Sequence, residues 1–142
     1  MKSVTAFAPA TVSNVACGFD VLGFPLESPG DEVTATFAAA GSVDIADILN
    51  DGGRLPRDAA RNTASVAVLA FLKAVGDTRG VSLTIKKGLP LSSGLGGSAA
   101  SAAAAVVAVD ALVGAKSSVE TLVTCALEGE RLGAGSAHAD NI

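Results

Sequence analysis

The stretch Gly88-Leu-Pro-Leu-Ser-Ser-Gly-Leu-Gly-Gly-Ser-Ala-Ala-Ser101 is the most informative part of this chain, because it joins a strand to an alanine-rich helix through a glycine loop. Apolar and polar residues alternate over 81–87, which is the period of a half-buried strand. A helix is predicted from Ser98 to about Val113. Unpaired N–H groups and the positive end of the dipole lie at a helix N-terminus, so a glycine loop there can wrap an oligophosphate. The stretch therefore predicts a phosphate-binding loop.

Other glycine-loop interpretations fit less well. The chain has no Gly-x4-Gly-Lys-[Ser/Thr] string, which a Walker A loop needs. Gly94, Gly96 and Ala99 match the dinucleotide pattern G-x-G-x-x-A. However, six residues including Pro90 separate Lys87 from Gly94, and no second strand ends in an acid about 20 residues on. The remaining alternative is that the stretch is a glycine-rich linker that precedes a helix and binds no ligand.

Residues 90–99 closely resemble Pro-x3-Gly-Leu-Gly-Ser-Ser-Ala, the phosphate loop of the GHMP kinases. Gly97 replaces the first serine of that motif, whereas Ser98 keeps the second, which in this family reaches magnesium and phosphate. The resemblance implies ATP and Mg²⁺ as cofactors. The residues expected at the nucleotide are Asn62, Lys87, Pro90, Leu91, Ser92, Ser93, Gly94, Leu95, Gly96, Gly97, Ser98, Ala99 and Ala100.

Two further segments, 8–23 and 137–142, resemble the first signature and the substrate-loop signature of homoserine kinases. The resemblance implies ATP-dependent phosphorylation of L-homoserine, a step of threonine biosynthesis. It assigns the substrate ammonium to Asp20 and the substrate's polar end to Asn14. His138 and Asn141 are expected to contact the amino acid, with Asn141 at the reacting hydroxyl. Asn14 and Asp20 could alternatively only close turns, as Asx residues often do.

The first signature departs from the family at one point. Ala16-Cys17 stands where members usually carry Gly-Pro, which puts the local backbone path in question. The alternatives to homoserine kinase are another small-molecule GHMP kinase, such as one like mevalonate kinase, and a non-catalytic domain that binds a nucleotide or a partner.

Four further residues have two interpretations each. Glu130 continues the apolar stripe of the last helix with a carboxylate, so it is either a magnesium ligand, as the family implies, or a structural ion pair. Asn62 either caps a helix or lies on the adenine side of the nucleotide pocket, and the two roles are compatible. Lys87, like Lys86, either neutralises a phosphate or is a solvated strand end.

The composition limits the classes of function. The 142 residues make one ordinary domain, 49% hydrophobic but only 4% aromatic, so the core is expected to be built from Ala, Val and Leu. A net charge of −4 argues against a nucleic-acid surface. The longest apolar run, 102–109, is too short to span a membrane, and two isolated cysteines indicate a reduced, cytoplasmic setting. The sequence leaves a homodimer open.

The order of the predicted elements is that of an α+β fold. Strands are expected at 4–8, 32–39, 43–48 and 81–87, with a Gly/Pro-rich loop over 9–30. Helices are expected at 63–75, 98–113 and after a capping box at 117–120. On the last helix, Val119, Val123, Ala126 and Leu127 are expected to face the core.

The resemblance covers the whole chain but only about the first half of a typical family member. It implies that residues 1–142 form the N-terminal, nucleotide-binding domain of a GHMP kinase, like the second domain of ribosomal protein S5. The C-terminal domain of the family is expected to lie outside this chain. A fragment of this kind is expected to be inactive alone.

Overall fold

The computed structural model of this protein describes residues 2–13, 15–18, 22–134 and 141–142. Over these residues the chain forms one four-stranded sheet and three α-helices, which confirms the predicted α+β class. In chain order the elements are β1 (Ser3–Val12), β2 (Phe24–Ala38), β3 (Val43–Leu49), α1 (Thr63–Val75), β4 (Gly80–Lys86), α2 (Gly97–Val113) and α3 (Val119–Ala134). None of the helices in this described part is long and apolar enough to cross a membrane.

The strands are arranged in the order β1-β2-β4-β3. β1 and β2 pair antiparallel, β2 and β4 pair antiparallel, and β3 runs parallel to β4. Parallel neighbours need a crossover connection, and α1 supplies it between β3 and β4. As a result β4 is a central strand, and the loop that follows it starts from the middle of the sheet.

The core lies between one face of the sheet and the helices. Buried residues of β4 are Val81, Leu83 and Ile85, which confirms the predicted alternation. They belong to one apolar cluster with buried residues of all three helices, including many alanines of α2. Small side chains let these elements approach closely: a Cβ on Gly129 of α3 would lie 2.4 Å from the carbonyl oxygen of Thr63 at the start of α1.

The loop predicted over residues 9–30 is wrong at both ends, about half of its length. β1 continues to Val12 and β2 begins at Phe24, and the two strands pair on either side of a register shift between Pro9 and Thr11. Pro9 lies on an edge strand, where proline is tolerated because only alternate N–H groups face the neighbouring strand. Local Gly and Pro signals were therefore overridden by strand pairing.

The helix boundaries agree closely with their sequence signals. Asn62 caps α1 by accepting a hydrogen bond from the Ala64 N–H (3.0 Å), and the left-handed Gly76 ends it. The predicted capping box at the start of α3 is shifted by one residue, because the Ser118 hydroxyl, not that of Ser117, accepts from the Thr121 N–H (3.3 Å). The predicted inward position of Val119 is also wrong, since this first residue of α3 is 75% exposed.

Candidate active site

A cleft of about 580 Å³ opens where the loop after β4 enters α2. It gathers segments that are distant in sequence: the start of α1, the phosphate-loop candidate, α3 and the last described residues. The residues lining it are Arg54, Leu55, Pro56, Arg61, Asn62, Thr63, Ile85, Lys87, Pro90, Leu91, Ser92, Ser93, Gly94, Gly96, Gly97, Ser98, Ser101, Glu130 and Asn141.

Most of the residues expected at the nucleotide therefore line one cleft. Leu95, Ala99 and Ala100 do not line it. Ala99 and Ala100 are buried, and Leu95 packs on a small apolar cluster that contains Ala100 and Leu89. These three side chains hold the loop against the domain.

The loop has the backbone shape of an anion site. Ser92, Gly94 and Gly96 have positive φ angles of 63°, 74° and 68°, at every second position. Left-handed residues of this kind occur in anion-binding turns, in which successive backbone N–H groups converge on one point. Gly96 is the N-cap of α2 and has no side chain to satisfy the first N–H groups of that helix. The cleft is therefore bordered by backbone donors.

Glu130 lines the same cleft as this helix N-terminus and is 9% exposed. The prediction that its carboxylate is directed inward is confirmed. It lies on the face of α3 that also buries Cys125 and Ala126, where burial raises the pKa of the Cys125 thiol. Ser98, on the first turn of α2, lines the same cleft. A hydroxyl and a carboxylate oxygen are donors of the kind that Mg²⁺ prefers, so these residues fit such an ion.

Asn62 also lines the cleft, and its side chain has structural partners at both ends. Its Oδ1 accepts from the Ala64 N–H, and its Nδ2 donates to the carbonyl oxygen of Pro56 (3.0 Å). The helix-cap interpretation is confirmed. Its predicted role on the adenine side stays a prediction.

The two lysines at the end of β4 have opposite environments. Lys86 is exposed and pairs with Glu32 on the neighbouring strand (2.9 Å). Lys87 is only 4% exposed, so the interpretation of this residue as a solvated strand end is wrong. The Lys87 ammonium donates hydrogen bonds to Asp31, to the Ser101 hydroxyl and to the carbonyl oxygen of Gly97, the first residue of α2.

Two polar residues of β1 and its end escaped sequence reasoning. The Thr11 hydroxyl donates to Oδ1 of Asn141 (2.8 Å), and the Ser13 hydroxyl approaches the same oxygen at 3.4 Å. A backbone bond from the Thr11 N–H to the Leu95 carbonyl (3.2 Å) ties this strand end to the loop. Asn141 is thereby held beside Gly96. No local sequence pattern predicts a contact between two residues that are 130 positions apart.

The segment that precedes α1 forms one wall of the cleft. Asp51 accepts hydrogen bonds from the N–H groups of Gly53 and Leu55 (3.0 Å each), and these bonds hold the pKa of the Asp51 carboxyl below its ordinary value. This turn places Arg54 and Leu55 at the cleft. Arg61, which is exposed, lines it as well.

Three predicted substrate residues, Asn14, Asp20 and His138, lie outside the described residues. The same holds for most of the segment 137–142, of which the structure describes Asn141 and Ile142. Cys17, in the short turn Ala16–Gly18, is exposed.

Comparison with known proteins identifies the relatives of this domain. Residues 62–142 match the family model of the GHMP kinases N terminal domain. The chain is 51% identical to the homoserine kinase of Chloroherpeton thalassium and 52% identical to that of Chlorobaculum tepidum. Each alignment covers 99% of this chain and 47% of the relative. The chain thus spans about half the length of these curated relatives.

Solved structures give the same relationship. A crystal structure of homoserine kinase from Cytophaga hutchinsonii superposes with a TM-score of 0.94 at 50% identity, covering 99% of this chain and 45% of that one. A mevalonate kinase superposes with a TM-score of 0.73 at 12% identity, covering 99% of this chain and 50% of that one, and so shares the fold.

Proposed function

Because this chain belongs to the GHMP kinases, we propose that the full-length protein transfers the γ-phosphoryl group of ATP to the side-chain hydroxyl of L-homoserine. The products are ADP and O-phospho-L-homoserine. The proposal rests on the cleft, in which a glycine loop, a helix N-terminus without a side-chain cap and the buried carboxylate of Glu130 come together. Identities of 51–52% to homoserine kinases support the choice of acceptor. This reaction would place the protein in threonine biosynthesis, in the cytoplasm.

The loop backbone and the first turn of α2 would bind the phosphates of ATP. Ser98 and Glu130 would hold a magnesium ion, which commonly binds one or two carboxylates together with substrate phosphates. The bound ion would supply charge neutralisation at the phosphates. Residues around Asn62 would border the adenine.

The acceptor hydroxyl would lie near Asn141, whose amide cannot accept a proton at neutral pH. Phosphoryl transfer passes through a loose transition state, so catalysis needs mainly positioning and charge neutralisation. Thr11 and Ser13 donate to Oδ1 of Asn141 and so fix how its amide faces the cleft. Asp20 would bind the ammonium of homoserine, with Asn14 and His138 at its other polar groups.

The substitution Asp20→Asn in the full-length protein tests the acceptor. A carboxylate that faces a partly desolvated ammonium makes a bond whose truncation costs about 2–5 kcal/mol. We therefore expect kcat/KM for homoserine to fall roughly 30-fold or more, at about 1.4 kcal/mol per factor of ten. The KM for ATP should hardly change, and the preference for homoserine over an analogue without the amino group should disappear.

A matched control is Asp44→Asn, because Asp44 is an exposed strand residue that pairs with Ser82 and does not line the cleft. ADP release should be measured with homoserine and with mevalonate as acceptors. Turnover of mevalonate in preference to homoserine, or equal losses for both homoserine and its analogue in Asp20→Asn, would contradict the assignment. ATP affinity that does not respond to Mg²⁺ would favour a non-catalytic binding domain.

A further inference from the structure

A buried group of charged and polar side chains lies directly beneath the phosphate-loop candidate. It consists of Asp31 on β2, Lys87 after β4 and Ser101 on α2, with exposed fractions of 0%, 4% and 4%. Sequence reasoning treated the lysine as a phosphate ligand or a solvated residue, and it did not single out Asp31 or Ser101. The three residues come from three different elements of the fold.

The Lys87 ammonium has three protein acceptors. It pairs with Oδ2 of Asp31, donates to the carbonyl oxygen of Gly97 (2.8 Å) and donates to the Ser101 hydroxyl oxygen (2.9 Å). An ammonium group carries three N–H donors, so these acceptors use all of them. In this arrangement Lys87 has no donor left for a phosphate oxygen.

Both carboxylate oxygens of Asp31 accept hydrogen bonds as well. Its Oδ1 accepts from the N–H groups of Gly88 (3.0 Å) and Leu89 (3.1 Å), the two residues that lead into the loop. Its Oδ2 accepts from the Ser101 hydroxyl (2.6 Å) as well as from Lys87. One carboxylate thus binds both the beginning of the loop and the helix that follows it.

The bonds converge on both ends of the loop. Gly88 and Leu89 precede Pro90, and Gly97 is the first residue of α2. The charges of Asp31 and Lys87 cancel within the buried pair, so its effect on a bound phosphate acts through geometry. Burying such a pair is costly unless every donor and acceptor is satisfied, and here the hydrogen bonds among Asp31, Lys87, Ser101 and the loop backbone satisfy them.

We infer that Asp31, Lys87 and Ser101 act together as positioning residues, which hold the phosphate loop and the first turn of α2 in the shape that binds ATP. This inference rests on the proposed nucleotide-binding function. It differs from a direct role of Lys87, because it predicts that all three residues matter for the same reason.

The test uses the full-length protein and measures the Kd of Mg²⁺–ATP by calorimetry and the melting temperature of each variant. Lys87→Met and Asp31→Asn should each raise the Kd of ATP by tenfold or more. The double variant should have a Kd no higher than that of the single variant that binds ATP more weakly. Adding salt should weaken ATP binding to wild type and to the double variant in equal proportion, since the double variant removes both charges of a neutral pair.

The chain offers a matched pair of controls. Glu32→Gln and Lys86→Met break the exposed ion pair on the same two strands, one residue away from the buried pair. Neither Glu32 nor Lys86 lines the cleft. Both controls should leave the Kd of ATP within about twofold of wild type, because exposed ion pairs contribute little.

Variants of Ser101 provide the test if Lys87→Met and Asp31→Asn do not fold. Ser101→Ala removes one bond to each charged partner and should raise the Kd of ATP about tenfold. Ser101→Thr keeps the hydroxyl, and its added methyl group is at a position that lines the cleft. This variant should therefore bind ATP almost as tightly as wild type does. A lower melting temperature with an unchanged Kd would reduce the group to a structural role and overturn the inference.

Two other results would overturn it. If Asp31→Asn strengthens ATP binding while Lys87→Met weakens it, then Lys87 contacts phosphate directly. If wild type does not bind ATP, the proposed function fails, and the inference fails with it. If wild type binds ATP but does not phosphorylate homoserine, only the acceptor assignment fails, and the variants still decide the positioning role.

Discussion

Gly96 and Gly97 are adjacent glycines whose replacement by alanine should have very different costs in stability. Gly96 has φ 68° and ψ 27°, and a Cβ there would lie 2.4 Å from Oγ1 of Thr11 and 2.9 Å from Oδ1 of Asn141. Gly97 is the first residue of α2, and a Cβ there would lie 3.6 Å from its nearest neighbours, Leu89 and Lys87. The pair separates the effect of backbone strain from the effect of adding a methyl group to the loop.

The expected cost of Gly96→Ala has two parts. A left-handed conformation costs a non-glycine residue about 1–2 kcal/mol. The added methyl group also displaces Thr11 or Asn141, and the loss of the hydrogen bond between them costs about 1 kcal/mol. We therefore expect the free energy of unfolding to fall by about 2–3 kcal/mol, which for a domain of this size lowers the Tm by roughly 10 °C. Displacement of the loop should also weaken ATP binding.

Gly97→Ala should change the free energy of unfolding by less than about 1 kcal/mol, because the methyl group fits and alanine favours helix. Gly97→Ser, which restores the serine of the family motif, should be tolerated for the same reason. Chemical denaturation and calorimetry with Mg²⁺–ATP on the full-length variants give both quantities. If Gly96→Ala were as stable and bound ATP as well as Gly97→Ala, the left-handed cap and its close contact with Thr11 would be refuted.

Four further predictions concern the cleft and its support. Glu130→Gln should lower kcat strongly and raise the Mg²⁺ concentration needed for half-maximal rate, whereas a structural ion pair would instead lower the Tm at normal activity. Gly129→Ala should destabilise the domain by about 1–3 kcal/mol in denaturation experiments, because the methyl group meets the Thr63 carbonyl. The lowered pKa of Asp51 means that its bonds stabilise the fold at neutral pH and are lost as pH falls below about 4, so the protection of the Gly53 and Leu55 amides from exchange, relative to their intrinsic rates at each pH, should fall there, but not in Asp51→Asn. The 142-residue chain alone should release no homoserine-dependent ADP, because closure over substrate supplies much of the positioning, and a rate near that of full-length relatives would contradict this.

Local signals were enough to define the elements that carry the phosphate loop. The alternation over 81–87, the Asn62 cap and the stops at Gly76 and Gly114 are each read from a few neighbouring residues, and the structure has each of them in place. The loop itself could be recognised because positive φ angles demand glycine at fixed positions, as at Gly94 and Gly96.

The tertiary structure alone decided which residues meet. The pairing of β1 with β2 turned a Gly/Pro-rich loop into strand, and the insertion of β4 between β2 and β3 made it a central strand. Asp31 and Lys87 are 56 positions apart, and Thr11 and Asn141 are 130 apart. Sequence periodicity reports which face of an element is buried, but partners at such separations are chosen by strand order and packing, which no window of neighbouring residues contains. For that reason the sequence predicted a phosphate loop, whereas the buried ion pair beneath that loop is visible only in the fold.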